Sequence, residues 1–382
     1  MKQFLTVLIA LALFGLMACE GPAGPAGAKG DTGTAGQNAG FVYFDGFKDS
    51  LKCAACHNPE TDTTYYIAGK ALEWEESTHG SGTAWEENRS SCAECHTTEG
   101  FMLKQAGKTV TDIPDATPPG CFACHSPHSK GDFSLRTIAP VTLASNITGV
   151  AATTFDLGKG NLCVACHHPR TVSPMPDPTK TASTDTIKIT NNRWYAHYGV
   201  QGQILTGAGA FQFTDAAAYG KTTAHSSGVV ATEGCTACHM QNFSPANAFG
   251  GKIGAHTMEM RYTPEGASTS VLLVEGCMKC HSSITKKTSG SYSNIDDFNY
   301  NGKKAAFDAN MDTLKTLLVA KGWINTSDGI VATTASPLVI IPASRAGALF
   351  NYMLLLHDGS KGIHNPAYAN DILRASIAEI RK

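Results

Sequence analysis

Six Cys-x-x-Cys-His motifs are spread through the chain. Two thiols at this spacing, with a histidine directly after them, can hold a c-type haem. The thiols bond to the haem vinyl groups, and the histidine becomes the proximal iron ligand because it lies just beneath the tethered ring. The motifs are Cys53/Cys56/His57, Cys92/Cys95/His96, Cys121/Cys124/His125, Cys163/Cys166/His167, Cys235/Cys238/His239 and Cys277/Cys280/His281.

One motif of this kind could be a zinc site or a redox dithiol. Six copies, each closed by histidine, favour haem over zinc and over disulfides. The motifs use all but one of the 13 cysteines, which leaves no pair for a structural disulfide. The sequence therefore predicts six haem c groups with their irons.

Each iron also needs a sixth ligand or an open position. The chain has 14 histidines, of which six close the motifs. Any one of the others could be a surface residue, a core residue or a partner of a haem propionate. A bis-histidine iron uses one spare histidine, so the supply covers six irons, whose potentials would be lower than those of His/Met sites. The spare histidines are His79, His128, His168, His197, His225, His256, His357 and His364.

The position of a spare histidine in the sequence limits which haem it can reach. His79 and His225 come shortly before a motif and can lie over a neighbouring haem. His128 follows His125 too closely to reach the far face of its own haem, so we expect it to serve an adjacent one. His168 directly follows a motif histidine and could do the same.

The N-terminus is typical of an export signal: a basic start, a short apolar run, and small residues before Cys19. The run is too short for a comfortable membrane span. Cysteine after Leu-x-Ala resembles the lipobox of bacterial lipoproteins, which implies a signal peptide over residues 1–18 and a lipidated Cys19. An ordinary secretory signal with a stray cysteine is the alternative. No Asp follows Cys19 to signal inner-membrane retention, so the outer membrane is expected.

Residues 21–38 place glycine at every third position, as in collagen. A triple helix needs three chains, and only two of the triplets contain proline. We therefore interpret residues 19–40 as the lipidated cysteine and a solvated stalk; a trimerising stem is the alternative. Short tracts of this kind also follow the lipid cysteine in some outer-surface multihaem cytochromes.

Residues 41–382 are expected to form one hexahaem domain, with haems as its core and without a large aliphatic centre. Charged residues make up only 16% of the chain, and the formal net charge is −2. Twelve haem propionates would bring the surface to about −14 if all ionise, which argues against nucleic acid as a partner. The predicted fold is mostly irregular and α-helical, with little β-structure and with helices near the C-terminus.

Three C-terminal helices are predicted. Residues 303–321 carry an apolar stripe at helical spacing, and Gly322 follows as a stop. Residues 344–356 form a second helix, and Asn365 and Pro366 open a third that continues to Ile380. Residues 330–341 are expected to contain an extended pair, and residues 172–192 to form a long surface loop.

Several stretches resemble multihaem c-type cytochromes of metal-reducing bacteria. They are residues 74–79 (WEESTH), 92–101 (CAECHTTEGF), 193–201 (RWYAHYGVQ), 254–260 (GAHTMEM) and 358–366 (DGSKGIHNP). The resemblance implies distal iron ligands at His79, His197, His225, His256 and His364. With His128 these make six, while His168 and His357 stand in reserve.

The last hundred residues are distantly similar to pentahaem nitrite reductases and their octahaem relatives. Those enzymes carry a Cys-x-x-Cys-Lys haem with an open site, which this chain lacks. The leading interpretation is therefore an electron carrier without catalytic residues. Two alternatives stay open: a haem oxidoreductase with one open iron that acts on a small oxyanion or nitrogen species, and a subunit of a haem-chain filament.

The expected partners follow from this interpretation. They are other multihaem cytochromes or a porin–cytochrome conduit, the lipid leaflet of the outer membrane, and a metal oxide surface. The expected location is the outer membrane, with the protein anchored by lipid and exposed at the cell surface; the periplasmic face is the alternative.

Overall fold

The structure is a computed structural model that describes residues 48, 57, 65–243, 251–287 and 292–382. Residues Val42–Lys382 form one compact unit. The predicted signal peptide, the lipidated Cys19, the stalk, and Cys53 and Cys56 of the first motif lie outside the described residues.

Most helices of the described residues have one or two turns, and three near the C-terminus are longer. The helices are α1 Ile67–Glu75, α2 Thr78–Ser81, α3 Ser90–His96, α4 Thr98–Gln105, α5 Cys121–Cys124, α6 Pro127–Lys130, α7 Gly160–Val164, α8 Gln201–Leu205, α9 Val230–Glu233, α10 Thr236–His239, α11 Glu275–Met278, α12 Lys303–Ala320, α13 Ala346–Asp358 and α14 Pro366–Arg381. Single 3₁₀ turns lie at Ala84–Glu86, Ala224–Ser226, Ala255–Thr257, Tyr300–Gly302 and Ala343–Arg345.

The strands have two or three residues each and pair as antiparallel ribbons. They are β1 Val141–Leu143, β2 Thr153–Phe155, β3 Ile187–Ile189, β4 Arg261–Tyr262, β5 Val271–Leu272, β6 Thr285–Lys286, β7 Tyr292–Ser293 and β8 Leu338–Ile340. The ribbons are β1–β2, β3–β8, β4–β5 and β6–β7. The predicted fold class, mostly helical and irregular with little β-structure, is confirmed.

The three predicted C-terminal helices are present as α12, α13 and α14. Helix α12 buries Phe307, Leu314 and Leu318 from its apolar stripe. Asn365 caps α14, because its side chain accepts a hydrogen bond from the Tyr368 N–H at 3.2 Å. Pro366 occupies the first turn, where its missing N–H costs nothing.

Helix α13 is buried almost throughout and forms the centre of an apolar core. The core also takes in the buried faces of α12 and α14 and the aromatic residues Trp194 and Phe211. Asn351 lies inside it and satisfies both backbone groups of Phe211, accepting from N at 2.7 Å and donating to O at 3.0 Å. The expectation that the chain has no large aliphatic centre is therefore wrong for this part.

Two smaller expectations also differ from the structure. Residues 330–341 do not pair with each other as an extended pair, because β8 joins β3 with Ile340 opposite Ile187. Residues 172–192 are accordingly not all surface loop: Val172, Ile187 and Ile189 are buried. Among the helices that the structure describes, none is both long and apolar enough to cross a membrane.

Candidate haem sites

Five of the six motifs are described in full, and each lies on or beside a helix of one to two turns. Helices α3 and α5 contain both cysteines of their motifs, whereas α7, α10 and α11 each contain one. Residues three apart share a helix face, so these turns bring the two thiols of a motif to one side. The described motif cysteines are all free of disulfides.

Cys280 of the sixth motif differs from most of the other described motif cysteines. It is exposed, as is Cys121 of the third motif, whereas the others are buried or half-buried. It also lies two residues beyond the end of α11, although its N–H still bonds to Cys277 O at 3.1 Å and keeps the two thiols within one turn. This end of the motif is thus open to solvent in the polypeptide itself. The role of Cys280 in haem attachment stays a prediction.

Each motif histidine faces one histidine from elsewhere in the chain. In all six pairs the ring centroids are 6.0 to 6.4 Å apart. The pairs are His57–His128, His96–His197, His125–His256, His167–His79, His239–His364 and His281–His225. These six partners are the histidines that the sequence analysis assigned as distal ligands.

The separation is that of two imidazoles on one metal. Two rings that bind a first-row metal from opposite sides, each with a metal–nitrogen bond of about 2 Å, have their centroids roughly 6 Å apart. Other packed rings in this chain span this range, from His357 and Tyr195 at 4.3 Å to Trp194 and Phe350 at 6.0 Å, so the distance alone does not identify a metal site. What sets the histidine pairs apart is that each joins one motif histidine to one other histidine at this distance. The pairs therefore fit a six-coordinate haem iron between them.

Hydrogen bonds at the opposite ring nitrogen support this fit. Nδ1 of His96 lies 2.9 Å from Ala84 O, and Nδ1 of His239 lies 3.1 Å from Met258 O. Carbonyl oxygens only accept, so Nδ1 carries the proton and Nε2 is left with its lone pair for a metal.

Gln201 orients a third motif histidine. Its Nε2 donates to Tyr198 O at 2.8 Å, which fixes the amide so that Oε1 accepts from His167 Nδ1 at 3.2 Å. Helix α8, on which Gln201 lies, thereby sets the ring plane of His167. This residue was missed from the sequence, where nothing in the spacing sets it apart from other polar residues.

Burial keeps several of these rings neutral, which is the form that binds a metal. Burial, with His167 nearby, lowers the pKa of His79 to about 4. The pKa values of His125, His167, His239 and His256 are lowered for the same main reason, because removal from water penalises the charged form.

The two reserve histidines occupy other surroundings. His168 Nδ1 lies 3.1 Å from Pro169 O, and the ring contacts the Cys95 thiol, which raises its pKa. His357 packs against Tyr195 and Tyr198 at 4.3 and 4.5 Å. In the described part of the chain, neither ring forms a 6 Å pair with a motif histidine.

Contacts between thiols show which motifs are neighbours. Cys166 of the fourth motif contacts Cys95 of the second, and Cys163 contacts Cys235 of the fifth. Cys124 of the third motif lies near Cys163 as well. The fourth motif therefore has the second, third and fifth around it.

The histidine pairs extend this arrangement to both ends. His128, just after the third motif, faces His57 of the first. His225, just before the fifth, faces His281 of the sixth, and Cys238 also lies near Cys277. The sites are thus adjacent in the order first, third, fourth, fifth, sixth, with the second beside the fourth.

Two glycines allow the fourth and fifth motifs to lie close to each other. A Cβ added at Gly160 would lie 2.9 Å from the Cα of Gly234 and 3.0 Å from the N of Cys235. Gly234 itself has φ 55°, a conformation that residues with a Cβ rarely adopt. Backbone contact at this point is what places Cys163 against Cys235.

Comparison with known proteins yields little. No family model matches the chain, and no curated protein matches it. A solved structure titled "Crystal Structure of Outer Cell Wall Cytochrome OcwA" is similar with 19% sequence identity and a TM-score of 0.46, over 81% of this chain and 50% of that one. The chain thus spans half the length of that cytochrome.

Proposed function

We propose that the chain binds six c-type haems, each iron held by two histidines, and that it transfers electrons. The observation that carries this is the set of six ring pairs: each motif histidine faces one other histidine at 6.0 to 6.4 Å. Once bound, the haem irons supply reversible one-electron chemistry. The chain supplies attachment, ligation and burial.

Occupied axial positions favour a carrier over an enzyme. A haem enzyme that acts on a small molecule keeps one iron position open for it. Here a distal histidine stands opposite each of the six motif histidines. The alternative of an oxidoreductase with one open iron has no such site among these six.

The order of the sites suggests a route for the electron. The contacts between motifs support a path through the first, third, fourth, fifth and sixth sites, with the second as a branch at the fourth.

The test is the haem content and spin state of the purified protein. Pyridine haemochrome absorbance against protein mass should give six haems per chain, and magnetic resonance of the oxidised protein should show low-spin iron only. A value of four or fewer haems per chain would contradict this proposal. Stoichiometric carbon monoxide binding by the unmodified protein would favour the enzyme.

We also propose, from the sequence, that residues 1–18 are removed and that the mature protein is held at the outer membrane by lipid on Cys19. Several acyl chains together give stable anchoring, whereas one does not. The Cys19→Ala variant should move to soluble fractions with its haems intact. Continued sedimentation of that variant with the outer membrane contradicts the anchor.

The proposed partners are multihaem cytochromes or a porin–cytochrome conduit as donors, and a metal oxide or another cytochrome as acceptor. The proposal is tested by reoxidation of the fully reduced protein. Addition of ferric oxide particles should restore the oxidised spectrum. If the protein stays reduced, ferric oxide is not an acceptor. A subunit of a haem-chain filament, in contrast, would form polymers in electron micrographs of the purified protein.

A further inference from the structure

The ring of His364 is held by a buried carboxylate. Its Nδ1 lies 2.7 Å from Asp358 Oδ1, and the side chain of Asp358 is 0% exposed. The same ring faces His239 with centroids 6.3 Å apart. A negative charge therefore contacts one of the proposed iron ligands of the fifth site, away from water.

The turn between α13 and α14 builds this contact. Asp358 is the last residue of α13, and Gly359 reverses the chain with φ 70°. The Ser360 hydroxyl donates to Asp358 Oδ2, and its oxygen accepts from the His364 backbone N–H at 3.2 Å. A carboxylate at a helix C-terminus is disfavoured by the helix dipole. Its hydrogen bonds to the ring and the hydroxyl compensate for that position.

Other histidines of the six pairs donate to neutral oxygens. His225 Nδ1 lies 2.7 Å from Ile363 O, His125 Nδ1 lies 3.4 Å from Ser134 O, and His239, across from His364, donates to Met258 O. His256 lies near a carboxylate, but its Nδ1 is 3.5 Å from Glu73 Oε2. The short contact of His364 with a fully buried carboxylate differs from each of these.

We propose that Asp358 is a positioning residue that lowers the reduction potential of the haem bound by His239 and His364. A carboxylate draws the Nδ1 proton towards itself and makes the imidazole a stronger donor, which stabilises the ferric iron. The buried negative charge acts in the same direction, since it is poorly screened. This inference rests on the proposed ligation of that iron.

Such a haem has a defined effect on the proposed route. The fifth site lies between the fourth and the sixth. A lowered reduction potential there makes electron transfer onto this haem energetically uphill. Asp358 would thus set the free energy of electron transfer through the fifth site, without contacting the iron itself.

The test is the Asp358→Asn variant in a spectroelectrochemical titration of the six-haem protein. Asparagine keeps the shape and an acceptor oxygen but removes the charge. One of the six midpoints should move upward, with the haem count and the low-spin spectrum unchanged. As a control for net charge, Asp215→Asn removes an exposed carboxylate that pairs with Lys382 and should leave all six midpoints in place. Six unchanged midpoints in a low-spin Asp358→Asn protein would overturn the inference.

A second variant separates charge from loss of order. Ser360→Ala removes a hydrogen bond to Asp358 and leaves more negative charge for the ring, so the same midpoint should move downward. A merely loosened turn would shift both variants the same way, and that result also overturns the inference. If the Asp358→Asn protein loses haem, the Ser360→Ala variant is the test: a downward shift of the midpoint supports the inference, and an upward shift overturns it. A wild-type protein without low-spin bis-histidine signals would instead contradict the proposed function.

Discussion

Histidine occupies four kinds of position in the described part of this chain. Six histidines follow a cysteine pair, six others face one of those across about 6 Å, His168 contacts the Cys95 thiol, and His357 packs between two tyrosine rings. The positions differ in what the ring nitrogens meet. His96 gives Nδ1 to a carbonyl and presents Nε2, whereas the buried Nδ1 of His357 has no hydrogen-bond partner. The chemistry of each ring follows from these partners and not from the residue type.

The first prediction concerns the distal histidines. Removal of His225 by substitution with Ala should leave one iron in six without its sixth ligand, because His281 then faces an empty position. One high-spin haem and one carbon monoxide site per chain are expected, measured by magnetic resonance and by difference spectra. His197→Ala and His256→Ala should behave alike.

His357→Ala and His168→Ala serve as matched controls, since neither ring faces a motif histidine. Both should keep six low-spin irons. If His168→Ala creates a high-spin iron and His128→Ala does not, His168 replaces His128 in the set of distal ligands.

The second prediction concerns pH. Burial against the tyrosine rings lowers the pKa of His357 to about 4, below its ordinary value of 6.5. The unfolded chain therefore binds this proton first as the pH falls, so stability is full above 6.5 and declines towards 4. One such group weakens the folding equilibrium by at most about tenfold per pH unit. His357→Gln should flatten this part of the denaturation profile, while an unchanged slope would contradict the assignment.

At the scale of elements, the long helices could be predicted and the pairings could not. Helix α12 begins and ends within a residue of its prediction because its apolar stripe and stop signals are local. The strand pair β3–β8 could not be predicted, since three-residue strands show little alternation and their partners are far apart in the chain. The apolar core was underestimated for a related reason: α13 is apolar on all sides, so its burial has no periodic signature.

The candidate sites divide in the same way. Cysteine spacing identifies the motif histidines, because the signal lies within five residues. The resemblance and the position of His128 predict a distal set whose six members each face a motif histidine in the structure. Which ring faces which is a property of the fold, as His79 shows: it precedes the second motif and faces His167 of the fourth.

The third prediction concerns the contact between two of the motif segments. Gly160→Ala should push the fourth and fifth motifs apart, because the added methyl would meet the backbone of Gly234 and Cys235. Overpacking of this kind costs about 1–3 kcal/mol. The free energy of unfolding, measured by chemical denaturation, should fall by that amount, and magnetic coupling between these two haems should weaken.

Gly251→Ala is the matched control for this change. No atom of the described residues lies within 4 Å of a Cβ added at Gly251. Its stability should stay close to that of the unmodified protein. Equal losses in both variants would mean that the close approach at Gly160 has no special role.

At the scale of the whole molecule, charge separates the haem-loaded protein from its bare chain. The sequence alone has an isoelectric point near 6.7. The six proposed haems would add twelve propionates, and carboxylates ionise at about pH 4. Isoelectric focusing should therefore place the purified protein at least about one pH unit below 6.7. Focusing near 6.7 would mean fewer haems, or propionates that stay protonated.

The histidine pairs also overlap along the chain: each begins before the one preceding it has closed, from His57 to His364. With an iron in each pair, every residue between these two lies inside at least one closed loop. A pull on the two ends would then be carried through the irons and through the short overlaps between successive pairs, so the chain between His57 and His364 could lengthen by much less than its full contour before a coordinate bond breaks. The protein would bear shear as a link of limited extension, held by iron rather than by its backbone alone.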